Sequence, residues 1–123
     1  MLRRDERFNG RQHFIRWHTI QANAWLTPRI ATWAKRVGVS AQHINITDLG
    51  YKWGSCGVSS SLNFHWRIIM LPPEIIEYLA IHELVHLLHP DHSAVFWAGV
   101  ARALPEWESR NQWLAENGVG YNI

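Results

Sequence analysis

His82-Glu83-Leu84-Val85-His86 places two imidazoles and a carboxylate in the order H-E-x-x-H. On a helix, His82 and His86 lie about 40° apart around the axis and about 6 Å apart along it, so both rings can reach one ion. Zinc is the ion typically bound through this pattern, with the glutamate as general base for hydrolysis. Glu83 stands about 100° further round than His82, too far aside to ligate but placed to take a proton from a water that the ion activates. The chain has eight histidines, so the competing reading is of ordinary side chains satisfied by hydrogen bonds. Surroundings decide between the two.

Those surroundings read as one buried helix. Pro72-Pro73-Glu74 gives a rigid start and an acidic first turn, and Ile75, Ile76, Leu79, Ala80, Ile81, Leu84 and Val85 follow. A helix apolar nearly all round belongs at the centre of a domain. Its polar exceptions, Tyr78, His82, His86 and His89, recur at intervals of 4, 4 and 3 residues and form one stripe. Unpartnered polar groups are costly in a core, and a metal ion would supply the missing partner.

A catalytic zinc takes three protein ligands and keeps a position for water. Were the helix to persist, His89 would sit about 10.5 Å along the axis from His82, too far to share an ion. It also precedes Pro90, which disfavours helical geometry and turns the chain. His92 can then swing back. It stands six residues past His86, the interval found in H-E-x-x-H-x-x-G-x-x-H proteases, although His89 and Pro90 here replace the glycine and its neighbour and imply a different turn. His92 is the favoured third ligand, with His89 or a more distant Glu or His as alternatives. Asp91 reads as a turn residue or as a carboxylate behind the ligands.

Trp53-Gly54-Ser55-Cys56, Leu62-Asn63-Phe64-His65-Trp66-Arg67, Pro72-Pro73-Glu74, the H-E-x-x-H segment, Asp91-His92-Ser93 and Phe96-Trp97 follow one another through most of the chain. Their order and spacing resemble the YgjP-like, or SprT-like, family of predicted zinc metallopeptidases, over roughly Trp25 to Gly118. The resemblance implies that His82, His86 and His92 are the zinc ligands and Glu83 the catalytic glutamate, with Asp91 in place of an expected asparagine. It implies a peptide or protein substrate. Many members carry a longer N-terminal part, which implies a shortened substrate-facing segment here. Some proteases of the wider SprT-like type act at DNA, so nucleic acid is a second, weakly supported partner.

Composition suits one metallopeptidase domain over residues 1–123, of a size that buries about two-thirds of its unfolded surface. With 47% hydrophobic residues and eight tryptophans, the chain is not of the disordered class. Cys56 is the only cysteine, so no internal disulfide can form. There is no signal-type apolar segment and no run long enough to span a bilayer, so the reading is cytoplasmic, without a membrane partner. A fourth protein ligand would displace the water from a catalytic zinc, so Cys56 is read as a structural thiol. Net charge is +2 and the isoelectric point about 9.0. The arginines at 3, 4, 7, 11 and 16 read as a solvated face, since no basic and aromatic stripe marks a nucleic-acid site.

Around the site helix, Met1 to Arg7 read as charged and frayed within a loose segment 1–12. Phe14, Trp17 and Trp25 suggest one helix. Thr27-Pro28 suggests the start of a second, carrying Ile30, Trp33, Ala34 and Val37 to a stop at Gly38. His43 to Leu49 alternates as a strand, Ser59-Ser60-Ser61 reads as a turn, and Leu62 to Leu71 gives the clearest period-two pattern. Ser93 can cap a helix bearing Phe96, Trp97, Val100 and Leu104, and Pro105 restarts a last one that stops at Gly118. The expected fold class is α+β, a minimal zincin-like domain with a small antiparallel sheet beside the central helix and covering helices.

The function favoured on these grounds is a zinc-dependent peptidase in which Glu83 acts on a metal-activated water. Two other readings share the residues: a zinc hydrolase of a non-peptide amide or ester, and a zinc-stabilised binding module without turnover. The intact Glu83 argues against the last. Cobalt, nickel and copper also accept imidazoles. The Leu62 to Leu71 strand could hold an extended peptide along its edge. His65, Tyr51, Tyr78, Arg67 and His89 are candidate donors to an oxyanion.

Overall fold

The computed structural model describes residues 4–57 and 60–117. Helix α1 (Arg4–Val37) leads to strands β1 (His43–Thr47), β2 (Gly54–Cys56) and β3 (Ser61–His65); helices α2 (Pro73–His86), α3 (Ala94–Ala103) and α4 (Trp107–Asn117) follow. The arrangement is α+β. Met1 to Arg3, Ser59 of the serine turn, and the expected helix stop at Gly118 lie outside the described residues.

The α1 helix corrects the expectation of two helices. It runs through Pro28 for 34 residues without a break, about 51 Å. An interior proline costs about 3 kcal/mol. Ala22, Leu26, Ile30, Trp33 and Ala34 are buried at one continuous helical spacing across it. A buried Leu or Ile contributes about 1.5–3 kcal/mol, so the pair flanking the exposed Pro28 offsets that cost. Gly38 ends the helix as expected, at φ +88°, with the Gly38 and Val39 N–H groups both donating to the Ala34 carbonyl. Phe14 and Trp17 point outward, half exposed.

The sheet is mixed, where a wholly antiparallel one was expected. Its order is β1-β3-β2, with β1 parallel and β2 antiparallel to the central β3. Leu62 and Phe64 turn their side chains into the core. On the opposite face Asn45, Asn63 and Ser55 form a side-chain chain across the three strands, at 3.1 and 3.4 Å.

The long strand expected from Leu62 to Leu71 stops at His65, and Trp66–Met70 forms a 3-10 helix. Its partners give out there, since β1 ends at Thr47 opposite His65 and β2 begins opposite Phe64. His65 Nδ1 then accepts the Arg67 N–H at 3.1 Å. This local bond competes with further ladder pairing.

Helix α2 begins at Pro73 and is buried from Ile75 to Val85 apart from Glu77. It packs against α1, β2, α3 and α4. Glu77 joins Arg36 of α1 to Arg110 of α4. Arg36 also donates to the Ala103 carbonyl and Arg110 to the Glu74 carbonyl. Burial alone would raise the pKa of Glu77; hydrogen bonds and charge from Arg36 and Arg110 outweigh it and leave it lowered.

Glu77→Ala is expected to lower the unfolding free energy by about 2 kcal/mol at pH 7. The folded pKa lies below the unfolded 4.5, so the contribution is complete above that value and is lost as pH falls through the folded one. Urea melts of wild type and variant should therefore converge in acid. A gap that stays constant down to the acid limit would refute the assignment.

Candidate metal centre

The site lies where α2 ends. Leu88 and His89 donate their N–H groups to the Val85 carbonyl, so the helix closes before Pro90, and the chain turns back through Asp91. His92 follows at the base of α3, whose first turn is capped by the Ser93 hydroxyl accepting the Phe96 N–H at 3.3 Å. The result is a convergence of three rings. His92 Nε2 lies 2.9 Å from His86 Nε2 and 3.3 Å from His82 Nε2.

These atoms suit a divalent ion. Zinc at about 2.0–2.1 Å from each nitrogen in a tetrahedral site places its ligand nitrogens roughly 3.4 Å apart. All three ligand atoms lie within 4.8 Å of one another. His86 Nδ1 sits 3.0 Å from the His89 carbonyl. A carbonyl only accepts, so Nδ1 carries the proton and Nε2 offers its lone pair. Burial and the neighbouring His86 and His92 hold the pKa of His82 down to about 3. Burial likewise lowers that of His86, against the pull of the His89 carbonyl. Neutral imidazoles are the form that binds metal. His82 Nδ1 is buried without a hydrogen-bond partner among the described residues.

Glu83 is 2% exposed and lies beside this cluster. Burial pushes its carboxyl up to about 7, while the neighbouring Cys56 thiol and the charge of Lys52 pull it down. Its carboxyl faces a cleft of about 650 Å³ whose lining includes Lys52, Gly54, Ser55, Cys56, His86 and His92. One wall of the cleft is therefore β2, an edge strand. This corrects the expectation that the Leu62 to Leu71 segment offers the edge, since β3 is paired on both sides.

The other candidates fall elsewhere. His65 is buried against Asp48 and, with Tyr51 and Arg67, lines a separate small pocket. Tyr78 is fully buried and donates to Asn111 Oδ1 at 3.0 Å. None of His65, Tyr51, Tyr78, Arg67 and His89 lines the cleft. His89 serves through its carbonyl, and Asp91 is exposed. The Cys56 thiol donates to the Glu83 main-chain carbonyl at 2.9 Å, and burial together with the Glu83 charge raises its pKa to about 12. It stays a thiol. Sequence reasoning missed Lys52, Ser55 and the role of Gly54; that glycine's position just before a residue of the cleft wall was the available signal.

Gly54 has a steric reason. A Cβ there would lie 3.2 Å from Glu83 Cγ and 3.3 Å from Phe64 Cδ1. A side chain there would press on both neighbours, which would have to give by a few tenths of an ångström.

A family match gives this fold and cleft their class, a metallopeptidase. The YgjP-like metallopeptidase domain matches residues 1–117, and the chain belongs to that family, whose substrates are peptides or proteins. The family resemblance carried by the sequence motifs is thus borne out. The fold is similar to that in the crystal structure of the metallopeptidase zymogen of Pyrococcus abyssi abylysin, with a TM-score of 0.65 and 19% identity, over 76% of this chain and 95% of that one. No curated protein matches the chain. No described helix is long and apolar enough to cross a membrane.

Gly54→Ala is expected to cost about 1–3 kcal/mol through overpacking, and Gly54→Val more. Both should reduce proteolysis beyond what their thermal melts explain, because the displaced neighbour is Glu83. Activity that simply tracks the folded fraction would refute this role.

Proposed function

We propose that the chain is a zinc-dependent peptidase with His82, His86 and His92 as ligands and Glu83 as general base. The convergence of three Nε2 atoms beside a buried glutamate, next to an open cleft, carries this reading. A zinc ion held there would supply Lewis acidity toward a carbonyl and lower the pKa of water to about 7.

The chain's own residues do the rest. The outer edge of β2 offers unpaired main-chain groups, so an extended substrate can add to it as a further strand. That pairing would bring a peptide bond over Glu83. The Glu83 carboxylate takes a proton from the attacking water on its Oε and returns it to the leaving nitrogen. A carboxyl whose burial brings its pKa near neutrality suits both transfers. Cys56, donating to the Glu83 carbonyl, ties the glutamate's backbone to the strand that would bind substrate.

Elemental analysis of the undisturbed protein should find one zinc per chain, and a chelator should stop cleavage of an unfolded protein substrate. Glu83→Gln should lower kcat/KM by about 10²–10⁴-fold while retaining the metal, whereas His92→Ala should lose it. The base must be ionised, so kcat/KM should fall on the acid side as Glu83 takes up its proton. Full turnover by Glu83→Gln, or a metal-free wild type that still cleaves, would sink the proposal.

A further inference from the structure

The three imidazoles are held in different ways. His86 has its Nδ1 tied to the His89 carbonyl. His82 Nδ1 has no partner among the described residues, but at 1% exposure the ring is walled in by the core. His92 is exposed and stands outside any helix or strand, and its hydrogen-bond contacts run only through Nε2, toward the other two rings. A ligating histidine ordinarily has its second nitrogen held by a carboxylate, a carbonyl or water, and a protein partner fixes the plane of the ring. At His92 no described group does this.

An aromatic stack stands in that place. Trp97 lies close to parallel with His92, with centroids 5.8 Å apart and planes at 30°, and it meets His82 edge-on at 5.7 Å. Trp107 of α4 stacks in turn on Trp97, at 4.6 Å and 24°. Phe96 is fully buried and touches all three histidine rings, at 4.9, 4.3 and 5.0 Å. The Ser93 cap locks the first turn of α3, which carries Phe96 and Trp97, next to His92 in the chain. Aromatic rings prefer such offset faces and edges, so the stack restricts the torsion that a hydrogen bond would otherwise set.

We propose that Trp97, backed by Trp107, is a positioning residue that sets the plane of the His92 ring for metal binding in place of a hydrogen bond. The proposal rests on His82, His86 and His92 being the ligands. It makes the packing of α4 on α3 part of the metal centre. Phe96 is the shared floor, but its loss would open a cavity in the core, whereas Trp97 is only half-buried and can be changed without emptying it.

Two readouts need no substrate: zinc affinity of the full chain by competition with a chromophoric chelator, and the visible spectrum of the cobalt(II) form, which reports ligand geometry. Trp97→Leu should weaken zinc binding about 10- to 100-fold and alter the cobalt bands, while Trp97→Phe should stay within about threefold of wild type. Trp107→Leu should fall between them. Trp17→Leu, at an exposed position on α1, should match wild type. Wild-type affinity and spectrum in a natively folded Trp97→Leu, or an equal loss in Trp97→Phe and Trp97→Leu, overturns the proposal. Should Trp97→Leu fail to fold, Trp107→Leu decides, and unchanged binding there overturns it as well. A wild type that binds no zinc removes the ligand reading itself, whereas a zinc-binding wild type with indifferent tryptophan variants removes only the stacking role.

Discussion

His82 and Glu83 are ionisable groups sealed inside the most deeply buried of the described helices, and the surrounding structure answers that constraint. Each resists its charged form in the interior, and together they oppose folding by several kcal/mol unless partnered. The same helix buries Ile75, Ile76, Leu79, Ile81, Leu84 and Val85. At about 1.5–3 kcal/mol apiece, an upper range, these side chains outweigh two polar neighbours. A less hydrophobic α2 could not hold the pair at this depth.

Depth alone would hide the chemistry, so the neighbouring elements open one side of it. β2 comes close enough to touch Glu83 because Gly54 has no side chain. The turn after α2 brings His92 back over the helix end instead of letting the chain run on. Glu77, held between Arg36 and Arg110, ties α2 to α1 and α4 on the far side from the cleft wall. The helix is therefore clamped from several directions while the face bearing His86 and Glu83 remains next to open space.

Much of this was legible because the informative signals are local. The turn at His89-Pro90, the Ser93 cap, the Pro73 start and the alternation from His43 depend on residues close in sequence, and each appears where it was expected. What failed to read out depended on distant partners. Pro28 looks like a helix start until the burial of Leu26 and Ile30 on one face is known. The alternation from Leu62 to Leu71 cannot reveal that β1 and β2 run out of residues at His65. Lys52 and Ser55 carry no pattern; only the sheet order places them in the cleft. Glu77 carries no local signal of its role, because its two arginines lie 41 and 33 residues away.

The strand at the cleft is three residues long, Gly54 to Cys56, with Gly57 directly after it. An uncovered strand is normally a template for other copies of the same protein, and long flat ones invite aggregation. So short a stretch gives an added strand only a few main-chain bonds, so pairing alone holds it weakly and a lasting complex needs further contacts in the cleft. Brevity thus makes this margin a poor template, by itself, for stacking further copies of the chain.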